Sequence, residues 1–258
     1  MRRWPGFIVV LMLVAFAPDV DASRPGIAII IDDLGNALGV GQRAIDLPGP
    51  LAVAVLPGTP RARQLATLAH VRGKEVLLHL PLQAEKDSGD PAPGSLVLDM
   101  SHAKFQEALA KAIESVPYIV GINTHRGSLL TRHPGHMRWL MDEIRARGDL
   151  FFVDSYTTVH SVALRIARES GVPAVKRDVF LDPDSSADTV PREFRRLMKI
   201  ARQQGYAVGI GHPYPATLDF LEQALPSLGD EGFELLRIGD LVAAASARAG
   251  QNESVSGE

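Results

Sequence analysis

Gly26-Ile27-Ala28-Ile29-Ile30-Ile31-Asp32-Asp33-Leu34-Gly35-Asn36 is the stretch on which the reading of this chain turns. Residues 27–31 are apolar without interruption, and a run with no polar alternation reads as a strand buried on both faces. A parallel sheet covered by helices requires strands of this kind. The run stops on two adjacent carboxylates and then a glycine. In α/β proteins the C-terminal ends of the strands are where chemistry is usually kept. Asp32 and Asp33 can also be read as caps of a turn or of the next helix, since aspartate is common in both places. Recurrence of the same pattern along the chain favours chemistry.

Further strands are predicted at 51–55, 75–79, 118–122, 150–153 and 207–211, with short extended pieces at 174–175, 179–181 and 234–238. Helical stretches lie between them at 36–46, 60–72, 103–115, 135–147, 159–170, 188–204, 217–225 and 240–248. Gly73 and Gly171 stand where helices end, Pro191 falls in a tolerated first-turn position, and the polar stretch 83–94 reads as a long loop. Strands alternating with helices imply βαβ units and a parallel sheet. Seven or eight such units in roughly 230 residues predict an α/β fold, a distorted β/α barrel of seven or eight strands. No Gly-x-Gly-x-x-Gly opens the first unit, which argues against a dinucleotide site.

Composition is that of an ordinary globular protein, 46% hydrophobic and 22% charged. The net charge of -3, with acids and bases interspersed, proposes neither nucleic acid nor an anionic membrane as partner. The absence of cysteine excludes a thiol nucleophile, a zinc–thiolate site and any disulfide, so a metal must be held by His, Asp or Glu. Arg2 and Arg3, the apolar run 7–17 and the small residues around Val20-Asp21-Ala22 form a secretory signal pattern over residues 1–22. Its apolar part is short for a membrane span, and an uncleaved anchor is the lesser reading. Either way residues 23–249 form one domain outside the cytoplasm, periplasmic or secreted, without stable membrane insertion after cleavage. The polar tail 250–258 is expected to be unstructured. Nothing signals an oligomeric state.

Position sorts the eight histidines. His70, His102, His133, His136 and His160 fall on or beside predicted helices, where solvated or capping roles are the default. His133 and His136 can share a helical face, but Pro134 makes that face irregular, and i,i+4 is the better-attested ligand spacing. His79, His125 and His212 instead follow apolar runs, as do Asp32–Asp33, Asp154 and Asp178. In a parallel barrel all of them converge on one mouth. Burying so many polar groups together is costly unless a metal or substrate satisfies them. Mixed His and Asp ligands suit Zn²⁺ or another borderline divalent ion with an open position, and a carboxylate outside the shell can act as base on water. Residue chemistry therefore points to an exported metal-dependent hydrolase of acyl or amide bonds.

At these residues the chain resembles the divergent polysaccharide deacetylase family, a remote branch of the NodB-type carbohydrate esterases. The resemblance is carried by Ile29-Ile-Ile-Asp-Asp-Leu-Gly35, Leu78-His-Leu-Pro81, Gly121-Ile-Asn-Thr-His-Arg-Gly-Ser128, Phe152-Val-Asp-Ser155, Arg177-Asp-Val-Phe-Leu-Asp182 and Ile210-Gly-His-Pro213. It implies a NodB-like barrel, a divalent metal, most often zinc, and removal of N- or O-linked acetyl groups from a polysaccharide. It also implies Asp32 as catalytic base, Asp33 as metal-binding acid, and His212 as general acid or holder of the acetate product. The His-x-x-x-His segment that supplies two metal histidines in NodB-type enzymes is absent, and His79 and His125 are expected to replace it. Arg126, Leu129 and Leu130 depart from the family pattern and are read as changes in cleft lining. Asn123, Asp154, Arg177 and Asp178 are expected to orient the base and ligands or touch substrate, although Arg177–Asp178 can equally be a structural ion pair. A second reading is a catalytically inactive protein binding carbohydrate or a partner on the same barrel. A phosphoesterase, the weakest reading, would want a basic cluster that only Arg126 and Arg177 are placed to supply.

Overall fold

The apolar run at 27–31 forms the middle of strand β1 (Gly26–Leu34), and each of its five residues exposes 1% or less of its surface. The computed structural model describes residues 24–87, 94–186 and 188–255, so the expected signal peptide lies outside the described residues. After β1 come α1 (Leu38–Asp46), β2 (Ala52–Val55), α2 (Ala62–Val71), β3 (Glu75–Leu82), α3 (His102–Ser115), β4 (Ile119–Arg126) and α4 (Pro134–Arg147). They are followed by β5 (Phe151–Asp154), α5 (Ala163–Glu169), β6 (Ala174–Lys176), β7 (Val179–Phe180), α6 (Thr189–Gln204), β8 (Tyr206–Gly211), α7 (Pro215–Ala224), β9 (Glu234–Leu235) and α8 (Ile238–Val255). Helix α8 continues through 250–255, into the stretch expected to be unstructured.

The strands form one parallel sheet in the order β6-β5-β4-β3-β2-β1-β8-β7, and β9 pairs with the start of β1. Only Arg177 and Asp178 separate the two edge strands β6 and β7 in sequence, so the sheet must curl until its edges nearly meet. The Arg177 amide donates to the Asp154 carbonyl and the Asp178 amide to the Val208 carbonyl. The connector thus bonds to both flanks of the gap where the barrel lacks a strand pair.

Side chains alternate across the curled sheet and divide the core in two. Ile27, Ile29 and Ile31, with Leu78, Phe152 and others, face outward onto the helices. Ala28, Ile30, Ala52, Ala54, Leu77, Val153, Val208 and Ile210 face inward, where Ile238, Leu241 and Val242 of α8 pack against them. Burial on both faces is why β1 carries no polar alternation until Asp32.

Strands β3 and β4 run further than the sequence reading placed them. Pro81 lies inside β3, opposite His125 of β4, while pairing with β2 stops at Leu78. Proline lacks a ladder donor, and it is tolerated here because β2 has ended and the isolated Leu82–Leu96 bridge that follows on that flank uses only the Pro81 carbonyl, which accepts from the Leu96 amide. The extension brings His125 into a strand rather than the loop beyond it, and puts His79, expected at the last position of its strand, well inside one.

Candidate metal centre

Alternation predicts which polar residues share a face. Inward positions 28 and 30 of β1 continue to Asp32, Leu77 of β3 to His79, and Val208 and Ile210 of β8 to His212. His79 pairs in register with Asn123 and Pro81 with His125, so Asn123 and His125 lie on the same inner face. Asp33 alone breaks the phase. Pairing with β2 shifts between Ile31 and Leu34, and Asp33 takes a left-handed φ of 60°. That bulge turns two successive carboxylates toward one mouth, which a regular strand would send to opposite faces.

Three atoms meet there. His79 Nε2 lies 3.1 Å and His125 Nδ1 2.9 Å from Asp33 Oδ1, and the two ring nitrogens are 3.1 Å apart. Asn123 settles the tautomer of His79. Its Oδ1 faces His79 Nδ1 at 2.9 Å and its Nδ2 donates to Asp32 Oδ1 at 2.7 Å. The opposite amide orientation would set oxygen against carboxylate, so Nδ1 of His79 is the donor and Nε2 presents a lone pair. Asp33 Oδ1 is buried without a hydrogen-bond partner. A proton on His125 could serve both neighbours only as a divided bond, whereas a cation takes all three lone pairs. Asp33, His79 and His125 are the group among the described residues whose atoms converge closely enough to hold a metal ion, and their chemistry fits a divalent one.

Charge follows the same logic. Burial alone would raise Asp33, but His125 and His79 override it and hold the carboxylate far below the usual range. Burial disfavours a charged His79, yet Asp32 and Asp33 pull its pKa upward, so this point attracts positive charge. Asp32, 2% exposed, is pushed up by burial against the opposing pull of His79 and Asn123. Its Oδ2 sits 3.6 Å from His79 Nε2, beside the three ligand atoms and not among them.

His212 enters from β8, its Nε2 4.0 Å from Asp33 Oδ2. Its Nδ1 bonds Asp182 Oδ1 at 2.8 Å; the other Asp182 oxygen accepts from the His212 amide and the Thr217 hydroxyl, each at 2.7 Å. Burial works against a charged His212, but Asp182 outweighs it and raises the pKa. Tyr214, half exposed, stacks on His212 with centroids 5.3 Å apart.

Of the residues singled out in the sequence, Asp32, Asp33, His79, Asn123, His125 and His212 come together. Asp154 is out of phase with the inward-facing Val153, and its oxygens accept from the Tyr156 amide and the Ser161 hydroxyl. Asp178 bonds the Val208 amide beside the barrel gap. Arg177 donates to the Ser155 and Tyr156 carbonyls and lies over the Phe180 ring, so Arg177 and Asp178 both serve the closure. Sequence reasoning gave no role to Asp182 or Tyr214. Each stood next to a residue or inside a segment already picked out, and the position of Asp182 at the end of an apolar run, 179–181, was the available signal. His133 and His136 have ring centroids 6.2 Å apart, and His136 packs with Trp139 and Phe105.

Comparison with known proteins bears on the family and the fold. The family model described as divergent polysaccharide deacetylase matches residues 29–242. The chain is 37% identical over 220 residues to the uncharacterized protein YibQ of Escherichia coli K12, covering 84% of this chain and 68% of that one. Among solved structures, the uncharacterized protein ATU2773 from Agrobacterium tumefaciens C58 superposes with a TM-score of 0.81 at 23% identity, covering 87% and 92% of the two chains. More distant in fold is the catalytic domain of a peptidoglycan N-acetylglucosamine deacetylase from Eubacterium rectale (TM-score 0.51, 16% identity, 86% and 93% covered). Similarly distant is a mutant of BA3943, a CE4 family pseudoenzyme with restored enzymatic activity (TM-score 0.50, 13% identity, 86% and 68% covered). With the matched region running from within β1 to beyond β9, the chain belongs to the divergent polysaccharide deacetylase family.

Proposed function

We propose that this chain is an exported, metal-dependent hydrolase that removes N- or O-linked acetyl groups from a cell-envelope or extracellular polysaccharide. The observation that carries the reading is the triangle of Asp33 Oδ1, His79 Nε2 and His125 Nδ1, with a separate buried carboxylate, Asp32, beside it. Family membership supports the acetylated-glycan substrate class, as does the fold shared with a peptidoglycan N-acetylglucosamine deacetylase. Among the described residues no helix is long and apolar enough to cross a membrane.

Asp33, His79 and His125 would hold the ion, with zinc the first candidate for a mixed nitrogen and oxygen set. When bound, such an ion polarises an acyl carbonyl and makes water a better nucleophile. Asp32 then accepts the proton of the attacking water. Asn123 holds one of its oxygens and leaves the other facing the centre. His212 offers Nε2 to the leaving nitrogen or oxygen, and Asp182 at Nδ1 stabilises the protonated ring that serves as acid.

Metal content of the chain from Ser23 onward, measured by plasma mass spectrometry beside Asp33→Ala, is the first test. The expected result is about one ion per chain, lost in the variant. Acetate release from acetylated glycan should then disappear in Asp32→Asn while the metal stays. A chain that takes no zinc, cobalt or nickel would overturn the reading. The second reading, an inactive carbohydrate- or partner-binding protein, would then lead; it draws on the missing His-x-x-x-His segment and on the fold likeness to a CE4 pseudoenzyme.

A further inference from the structure

The hydrogen bond of the His212 ring holds it along one edge only. Its Nδ1 donates to Asp182 Oδ1 at 2.8 Å, and Asp182 is itself fixed by the His212 amide and the Thr217 hydroxyl. A bond at one nitrogen sets the direction of that edge but does little against tilting of the ring out of its plane. Such a tilt carries Nε2 away from Asp33. A cavity of about 470 Å³ lies beside Asp182, Tyr214 and Thr217, so packed side chains do not brace the pair on that flank.

What lies on the ring is aromatic. Tyr214 stacks on the imidazole with 5.3 Å between centroids and 28° between planes, in the range of offset aromatic pairs. Phe180 of β7 is also near-parallel to it, 6.2 Å away and inclined by 23°. Tyr214 is 53% exposed, so packing in the core does not hold it there. Its backbone does. Tyr214 stands between Pro213 and Pro215, and a residue before proline is confined to extended conformations. It takes φ -76° and ψ 146°, Pro215 opens α7, and the Tyr214 carbonyl accepts the Leu218 amide at 3.0 Å. The first turn of α7 also carries Thr217 to Asp182. One helix start therefore delivers both the hydroxyl that orients Asp182 and the ring that covers His212. The stacking uses the face of the tyrosine ring and makes no use of its hydroxyl.

We propose that Tyr214 is a positioning residue for His212: stacked on the imidazole, it keeps Nε2 aimed at the Asp33 side of the metal centre while Asp182 holds the other nitrogen. An aromatic face also favours the cationic ring that an acid must be. That the held ring acts as acid rests on the function proposed above; the contact itself does not.

Two measurements separate the contact from its use. In nuclear magnetic resonance spectra of the metal-free chain, the His212 ring signals are assigned by their loss in His212→Gln. They should keep their positions in Tyr214→Phe and move downfield in Tyr214→Ala, as the ring current above them is lost. The Nδ1 proton of Tyr214→Ala should also exchange faster with water. For turnover, the zinc-loaded chain is given chitotetraose, whose amide leaving group needs a proton, and 4-nitrophenyl acetate, whose phenolate leaves without one. Tyr214→Ala should lower kcat on chitotetraose about three- to tenfold, with KM little changed, and leave 4-nitrophenyl acetate hydrolysis unaltered. Tyr214→Phe should restore the loss, and Arg43→Ala, at the exposed pair with Asp219 and Glu222, should change neither reaction. His212 signals that stay in place in Tyr214→Ala, or equal losses on both substrates, would overturn the proposal. Absence of acetate release from the unaltered chain counts against the hydrolase reading alone, and the ring signals then still judge the contact.

Discussion

Asn123 links the two halves of the candidate site through one amide, holding the tautomer of His79 and the position of Asp32 together. Removing it with Asn123→Ala should weaken metal binding about 10- to 100-fold, the usual effect of losing a partner that orients a ligand. Competition with a chromophoric chelator measures this, and unchanged affinity would show that the strands alone orient His79. Asp154 makes a contrasting residue-scale case. It is 1% exposed, and burial pushes its pKa up despite hydrogen bonds from Ser161 and the Tyr156 amide. A carboxyl whose folded pKa lies above the ordinary value near 4 stabilises the fold fully below that value, and does so less as pH rises through the raised pKa. Asp154→Asn removes this titration. In thermal melts from about pH 3.5 to 7, the advantage of the unaltered chain over the variant should shrink as pH rises; a gap that stays constant would contradict the assignment. The sequence marks Asp154 as a residue ending an apolar run, but its inward or outward phase becomes known only once the strand is registered against its neighbours.

At the scale of elements, the informative contact is between the beginning of β3 and the beginning of α8. Glu75 accepts the Ile238 amide at 2.8 Å and the Gly239 amide at 3.1 Å, capping a helix that lies far along the chain. Helix α8 closes the inner core, so the cap holds the plug of the barrel. Glu75→Ala should cost about 1–2 kcal/mol, the range for lost helix caps, measurable as a lower urea midpoint with an unchanged slope. No local signal betrays this cap, because Glu75 sits in a strand pattern and 163 residues from its partner. The helices themselves were legible from their periodicity and their Gly and Pro boundaries. Strand ends were less so: Pro81 reads as a stop, yet the strand passes through it because the pairing with β2 has ended and only its carbonyl is used, by the Leu96 amide.

At the scale of the whole molecule, the ligand set joins three strands, Asp33 from β1, His79 from β3 and His125 from β4. An ion bound only by the folded chain stabilises it by mass action, about 2.7 kcal/mol at a hundredfold excess over Kd. Chelation should therefore lower the melting temperature by roughly 5–10 °C for a domain of this size. Re-addition of zinc should restore it, and an indifferent melting curve would argue against a bound ion. On the far side of the barrel Arg177 secures the gap between edges, and burial lowers its pKa to about 10 without discharging it at neutral pH.

The sequence by itself determined the alternation of strand and helix, the parallel sheet and the polar residues at the strand ends. Those are matters of local periodicity and of burial on both faces, which leave their mark residue by residue. The incomplete closure at Arg177–Asp178, the bulge that turns Asp33 beside Asp32, the amide bridge of Asn123 and the pairing of Asp182 with His212 were decided by the tertiary structure alone. Each depends on register between strands distant in the chain, and side-chain direction reverses with every residue of register. A list of polar strand ends therefore cannot state which side chains meet until the sheet has curled and brought them to one mouth.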